Sequence, residues 1–105
     1  MKHKVMDIQL RKDNYMYRII EGRGTGKTSR LLLLAKEYNA IFVCSNPYAM
    51  RKKAEYYGID GINFVSYHDF ITNVYEGNYV VDELEGFLET IMGDNKLIGY
   101  TLSLE

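Results

Sequence analysis

The stretch Ile19–Arg30, IIEGRGTGKTSR, decides how this 105-residue chain is read. Gly22, Gly24 and Gly26 alternate along it, and Lys27 and Thr28 follow. Glycine reaches positive φ without a steric penalty, so such a run can turn tightly and aim successive N–H groups at one point. A helix beginning at Gly26 or Lys27 would direct its unpaired N–H groups and the positive end of its dipole into the same space. The common phosphate-loop pattern is G-x-x-x-x-G-K-[ST]. Its first glycine is replaced here by Glu21, which leaves the turn to Gly22 and sets a carboxylate at the rim of the pocket. Gly22, Arg23, Gly24, Thr25, Gly26, Lys27, Thr28 and Ser29 are thus the candidate nucleotide-binding residues. Lys27 would reach the β- and γ-phosphates and Thr28 would ligate Mg2+. The plain alternative is a glycine-rich turn that happens to precede a lysine.

Outward from this loop, strand and helix signals alternate. Residues 15–20 (YMYRII) read as a strand and 27–38 as a helix with a wide apolar face. The apolar run 40–45 (AIFVCS) reads as a buried parallel strand. Asn46 then offers an N-cap, Pro47 a first helical residue and Gly58 a stop. A strand is expected at 62–67. Ser66 and Asp69 make a capping-box pattern for a short helix to about Tyr75. Residues 78–83 (NYVVDE) read as a strand ending in two acids, 84–92 as an amphipathic helix and 96–104 as a last strand. Such alternation predicts an α/β three-layer sandwich with a mainly parallel five-stranded sheet, in one domain over 1–105. Ligands of such sheets sit beyond the carboxyl ends of the strands, where the loop and Asp82-Glu83 would meet.

Composition fits a soluble globular chain, 47% hydrophobic and 26% charged. No apolar run is long enough for a membrane span or a secretory leader, and Cys44 is the one cysteine, so a cytoplasmic setting and no membrane partner are expected. The net charge of −1 hides an asymmetry: residues 1–53 carry +8 and residues 54–105 carry −9. Two such halves either complement each other within the fold or leave a basic face for phosphates or nucleic acid.

GRGTGKT and VVDE together resemble the Walker A and Walker B motifs of P-loop NTPases that carry a catalytic glutamate, the RecA-like core of superfamily 1 and 2 helicases. IFVCSNPYAMRKKA, INFVSYHDFI and KLIGYTLSL are similar to the helicase segments that follow in the same order, over roughly residues 15–105. The loop, with Arg23 at its third position, also looks like those of phage terminase and DNA-packaging ATPases. The resemblance implies ATP and Mg2+ as cofactors, Lys27 and Glu83 as catalytic residues, Thr28 and Asp82 on the metal, and Thr101 as a γ-phosphate sensor. It implies nucleic-acid contacts, DNA or RNA, for Arg51, Lys52, Lys53 and His68. No second domain supplies an arginine finger, so hydrolysis would be slow unless the chain self-assembles or docks on a protein partner. A rival expectation is a non-catalytic module of the same fold that binds a host or viral protein. A nucleotide kinase is disfavoured, because residues 84–105 hold no arginine for a lid.

Tyr48, Tyr56, Tyr57 and Tyr67 are either core rings with wet hydroxyls or stacking platforms. Cys44, in an apolar strand, reads as an inert core thiol.

Overall fold

The structure, a computed structural model, describes residues 8–10, 15–20, 24, 26–101 and 103. Its centre is β3 (Ile41–Cys44), flanked in parallel by β4 (Phe64–Ser66) and β5 (Tyr79–Val81) in the order β4-β3-β5. Phe42 pairs with Phe64 on one side and with Val80 on the other. The three strands alternate their side chains. Phe42, Cys44 and Phe64 join one cluster with Leu32 and Ala35 of α1 (Lys27–Tyr38) and Met50 and Ala54 of α2 (Pro47–Tyr56). The Phe42 and Phe64 rings meet at 5.4 Å, tilted by 59°. The connection reverses direction between β3→β4 and β4→β5. The right-handed rule then puts α3 (Tyr67–Thr72) on the face opposite α2. α4 (Leu84–Met92) closes the order and packs against α3.

Local chemistry explains where the helices begin and end. Asn46 caps α2 by accepting from the Ala49 N–H at 3.1 Å, with Pro47 pre-set at the first position. Gly58, at φ 75°, ends it: its own N–H reaches the Glu55 carbonyl at 3.0 Å, and the Ile59 N–H reaches Ala54 at 2.9 Å. This is a Schellman closure, and Ile59 drops onto the core as such closures favour. Asn39, left-handed at φ 52°, does the same for α1, with Ala40 N–H on the Ala35 carbonyl at 2.8 Å. Ser66 accepts from the Asp69 N–H at 3.0 Å and so starts α3.

The five-stranded, RecA-like sandwich is not what forms. The parallel sheet has three strands and is open. β2 (Tyr15–Tyr17) lies instead in a separate antiparallel pair with β1 (Ile8–Leu10), Ile8 opposite Tyr17. No strand forms over 96–104 among the described residues. In that stretch Ile98 is 92% exposed and Tyr100 56%. α3 stops at Thr72 rather than near Tyr75: Asn73 turns to an extended backbone, φ −124° and ψ 165°, and its side chain donates to the Asp69 carbonyl at 2.9 Å. No helix among the described residues is long and apolar enough to cross a membrane.

Phe42 is fully buried at the crossing of sheet and helices. Phe42→Ala should therefore cost about 3–5 kcal/mol of unfolding free energy. Asn46→Ala should cost about 1 kcal/mol. Urea denaturation of the two variants checks both values and their order.

Candidate functional site

The carboxyl ends of β3 and β5 and the start of α1 supply the ionisable groups that act on one another. Lys27 opens α1 directly after Gly26, which takes a left-handed φ of 83°. The first turn of α1 contains no acid, and no side chain caps it. The Ser29 hydroxyl does not point outward to a ligand, since it donates to the Gly26 carbonyl at 3.0 Å. Lys27 and Thr28 are half-buried. Gly24 is exposed at φ 74°. Glu21, Gly22, Arg23 and Thr25 lie outside the described residues.

On the acidic side, the Asp82 N–H donates to the Val43 carbonyl at 2.9 Å and extends the β3–β5 pairing by one residue. The Tyr67 hydroxyl donates to the Asp82 carbonyl at 2.5 Å and lies 3.2 Å from that of Glu83. Glu83 is exposed, stands left-handed at φ 60° and begins α4. Burial, followed by the neighbouring Glu83 charge, raises the Asp82 carboxyl above the usual range, while Lys53 and Lys27 pull it back down. Those two lysines, one from α1 and one from α2, therefore act on the same carboxylate. Burial and then Asp82 push the Cys44 thiol up to about 11. Burial and then Asp82 push the Tyr67 phenol up to about 12, with smaller contributions from Cys44 and Glu83.

The remaining sequence candidates do not gather here. The Arg51 guanidinium lies over the Phe64 ring, 5.4 Å from its centroid, and the Lys52 ammonium over Tyr48 at 5.5 Å. Neither contact involves the helix's third basic residue, Lys53. His68 is exposed on α3, its carbonyl taken by the Thr72 hydroxyl at 2.9 Å. Thr101 is exposed and lies outside any strand. Tyr48, Tyr56 and Tyr57 are exposed on or beside α2. Tyr67 is not a stacking platform. It is 6% exposed, and its ring packs edge-on against Phe87 at 5.4 Å. Its place immediately after strand β4 was the available signal, because that is the sheet edge where ligands collect.

Among the described residues no group of three or more His, Cys, Asp or Glu side chains could hold a metal ion. A cavity of about 390 Å³ is lined by Tyr17, Ile19, Leu33, Leu34 and Tyr38 with Arg30 and Glu37, on the other side of α1's apolar face. A smaller one of about 190 Å³ lies between α4 and residues 97–100. Neither touches Lys27, Thr28, Asp82 or Glu83.

Compared with known families, curated proteins and solved structures, the chain matches none. The resemblance to P-loop NTPases, helicases and terminases therefore rests on short motifs alone, and the three-stranded sheet does not carry it. The ATPase activity, the ATP and Mg2+ cofactors and the catalytic glutamate chemistry built on that fold are withdrawn with it. So are the nucleotide, DNA or RNA, protein-partner and homo-oligomer expectations, and the rival module defined by the same fold.

With its thiol held near 11, Cys44 is almost wholly protonated at pH 8 in the folded chain. Its reaction with a disulfide reagent at pH 8 should be slow and should rise at least about tenfold in denaturant. Because the folded thiol binds its proton more tightly than the unfolded one, stability should fall as pH rises from 9.0 toward 11. Urea midpoints across that range test the sign.

Proposed function

We propose that this chain is a small binding domain whose site, at the carboxyl edge of the sheet, takes a small oxyanion. The observation that carries this is the start of α1, uncapped and free of acids, with Lys27 as its first residue, at the sheet edge where the charges of Lys27 and Lys53 reach the Asp82 carboxyl. Perturbed groups gathered in such a place mark functional sites more often than chance. The start of α1 adds to the attraction, since its uncapped first turn favours negative charge by about 0.3–1 kcal/mol. A charge-assisted hydrogen bond from a lysine contributes about 1.5–3 kcal/mol. Asp82 and Glu83 oppose both. Nucleotide, divalent metal and hydrolysis form no part of the proposal. A cytoplasmic setting fits the free, buried Cys44.

Titration of the isotope-labelled protein with inorganic phosphate at constant ionic strength tests the site. Saturable NMR shifts are expected at residues 27–30 and 82–83. Lys27→Ala should weaken binding by about tenfold, and added salt should weaken it further. Absence of saturation, or equal affinity in Lys27→Ala, overturns the assignment.

A further inference from the structure

α4 is the least embedded of the four helices. α1, α2 and α3 each have at least one buried residue, and α4 has none. Leu84 is 48% exposed and Ile91 49%. The helix rests on α3 through Phe87, whose ring meets Tyr67 at 5.4 Å and Phe70 at 6.3 Å, both edge-on. Neither helix has a lysine or an arginine to pair with the other's acids, Asp69 on α3 and Glu85 and Glu89 on α4. An element with few buried apolar contacts and no charge pairing opens ahead of the core.

The entry of α4 is fixed from outside the helix. Glu83, the residue before its first turn, stands at φ 60°, which residues with a β carbon rarely adopt, and its side chain makes no capping bond. The Tyr67 hydroxyl lies 2.5 Å from the Asp82 carbonyl and 3.2 Å from that of Glu83. On one side of this bridge the Asp82 N–H is bound to Val43 of β3. On the other the Glu83 carbonyl takes the Phe87 N–H at 3.1 Å, the first bond of the helix. The backbone between those two bonds is therefore a joint between sheet and helix. Tyr67 can hold it because Tyr67 is itself fixed, 6% exposed and first in α3 behind the Ser66 cap. Gly86 lets α4 come down onto the hydroxyl: a β carbon there would already sit 3.4 Å from it. Tyr100 also bonds α4, through the Glu85 carboxylate at 3.1 Å, but it belongs to the exposed stretch that follows the helix.

We propose that α4 is a hinged cover on α3, which swings as one unit about Glu83 and is latched shut by the Tyr67 hydroxyl. The sheet need not unfold for this, because the buried cluster around Phe42 contains no residue of α4. Opening uncovers Tyr67 and Phe70. The latch stands or falls apart from the anion site, since no residue of α1 takes part in it.

Amide hydrogen exchange of the full chain, followed residue by residue by NMR, tests the hinge. The N–H groups of residues 87–92 should share one protection factor, at least about tenfold below those of β3 and Asp82. Tyr67→Phe should speed exchange over 87–92 by about three- to tenfold and leave β3 unchanged. A tyrosine that merely stabilises the whole fold would change both alike, so equal effects on the two regions, or none on either, overturn the latch. Exchange that rises steadily from Phe87 toward Gly93 is fraying and overturns the hinge, as does exchange of 87–92 only together with β3. Should Tyr67→Phe not fold, Gly86→Val, whose branches crowd the hydroxyl from the α4 side, takes its place with the same expected outcomes.

Discussion

The parallel pairing of β3 on both sides is the constraint on which the rest of the molecule depends. A parallel neighbour cannot be reached by a hairpin, so each pairing forces a helical crossover. β3 has two such neighbours, and α2 and α3 are the consequences. Its own side chains must then be apolar on both faces, and Phe42, Val43 and Cys44 are all buried to within 1%. Phe42 and Cys44 share one buried cluster with Leu32 and Ala35 of α1 and Met50 and Ala54 of α2.

The same pairing decides what lies at the sheet's carboxyl edge. Cys44 ends β3, Tyr67 follows β4 and Asp82 follows β5, so three residues far apart in the chain become neighbours. Their proximity is visible in chemistry rather than in contact alone, since Asp82 raises both the thiol of Cys44 and the phenol of Tyr67. The opposite charges of the two chain halves also find each other within the fold. Lys27 and Lys53 act on Asp82, and the Lys36 ammonium bonds Asp60 through both its carbonyl, at 2.6 Å, and its carboxylate, at 3.1 Å. Of the two readings of the charge asymmetry, internal complementarity has these pairs in its favour. The Lys36–Asp60 pair is exposed and adds little stability. It does tie the end of α1 to the loop before β4.

Local signals were legible where one residue decides a local outcome. Asn46, Pro47 and Gly58 bound α2, Ser66 and Asp69 open α3, and Lys27 begins α1, each through a hydrogen bond or a φ value that neighbours in sequence supply. Failures came where an outcome depended on distant partners. YMYRII has the β-branched and aromatic composition of a strand, and part of it is one. Composition does not say whether Tyr15–Tyr17 joins β3's sheet or pairs with Ile8–Leu10. KLIGYTLSL has alternation enough for a strand, yet no strand forms there among the described residues. GRGTGKT implies a five-stranded sheet around it, and the parallel sheet here has three strands.

The sequence by itself determined that four helices form, that strands form near 41–44, 64–66 and 79–81, and which residues bound α2. These follow from side-chain shape, from capping and from apolar runs, which act over a few residues. Only the tertiary structure decided the number of strands in the sheet and the role of Tyr67. Each depends on which surfaces come together. A hydroxyl that spans Asp82 and Glu83 from fifteen residues away leaves no local trace in the order of amino acids.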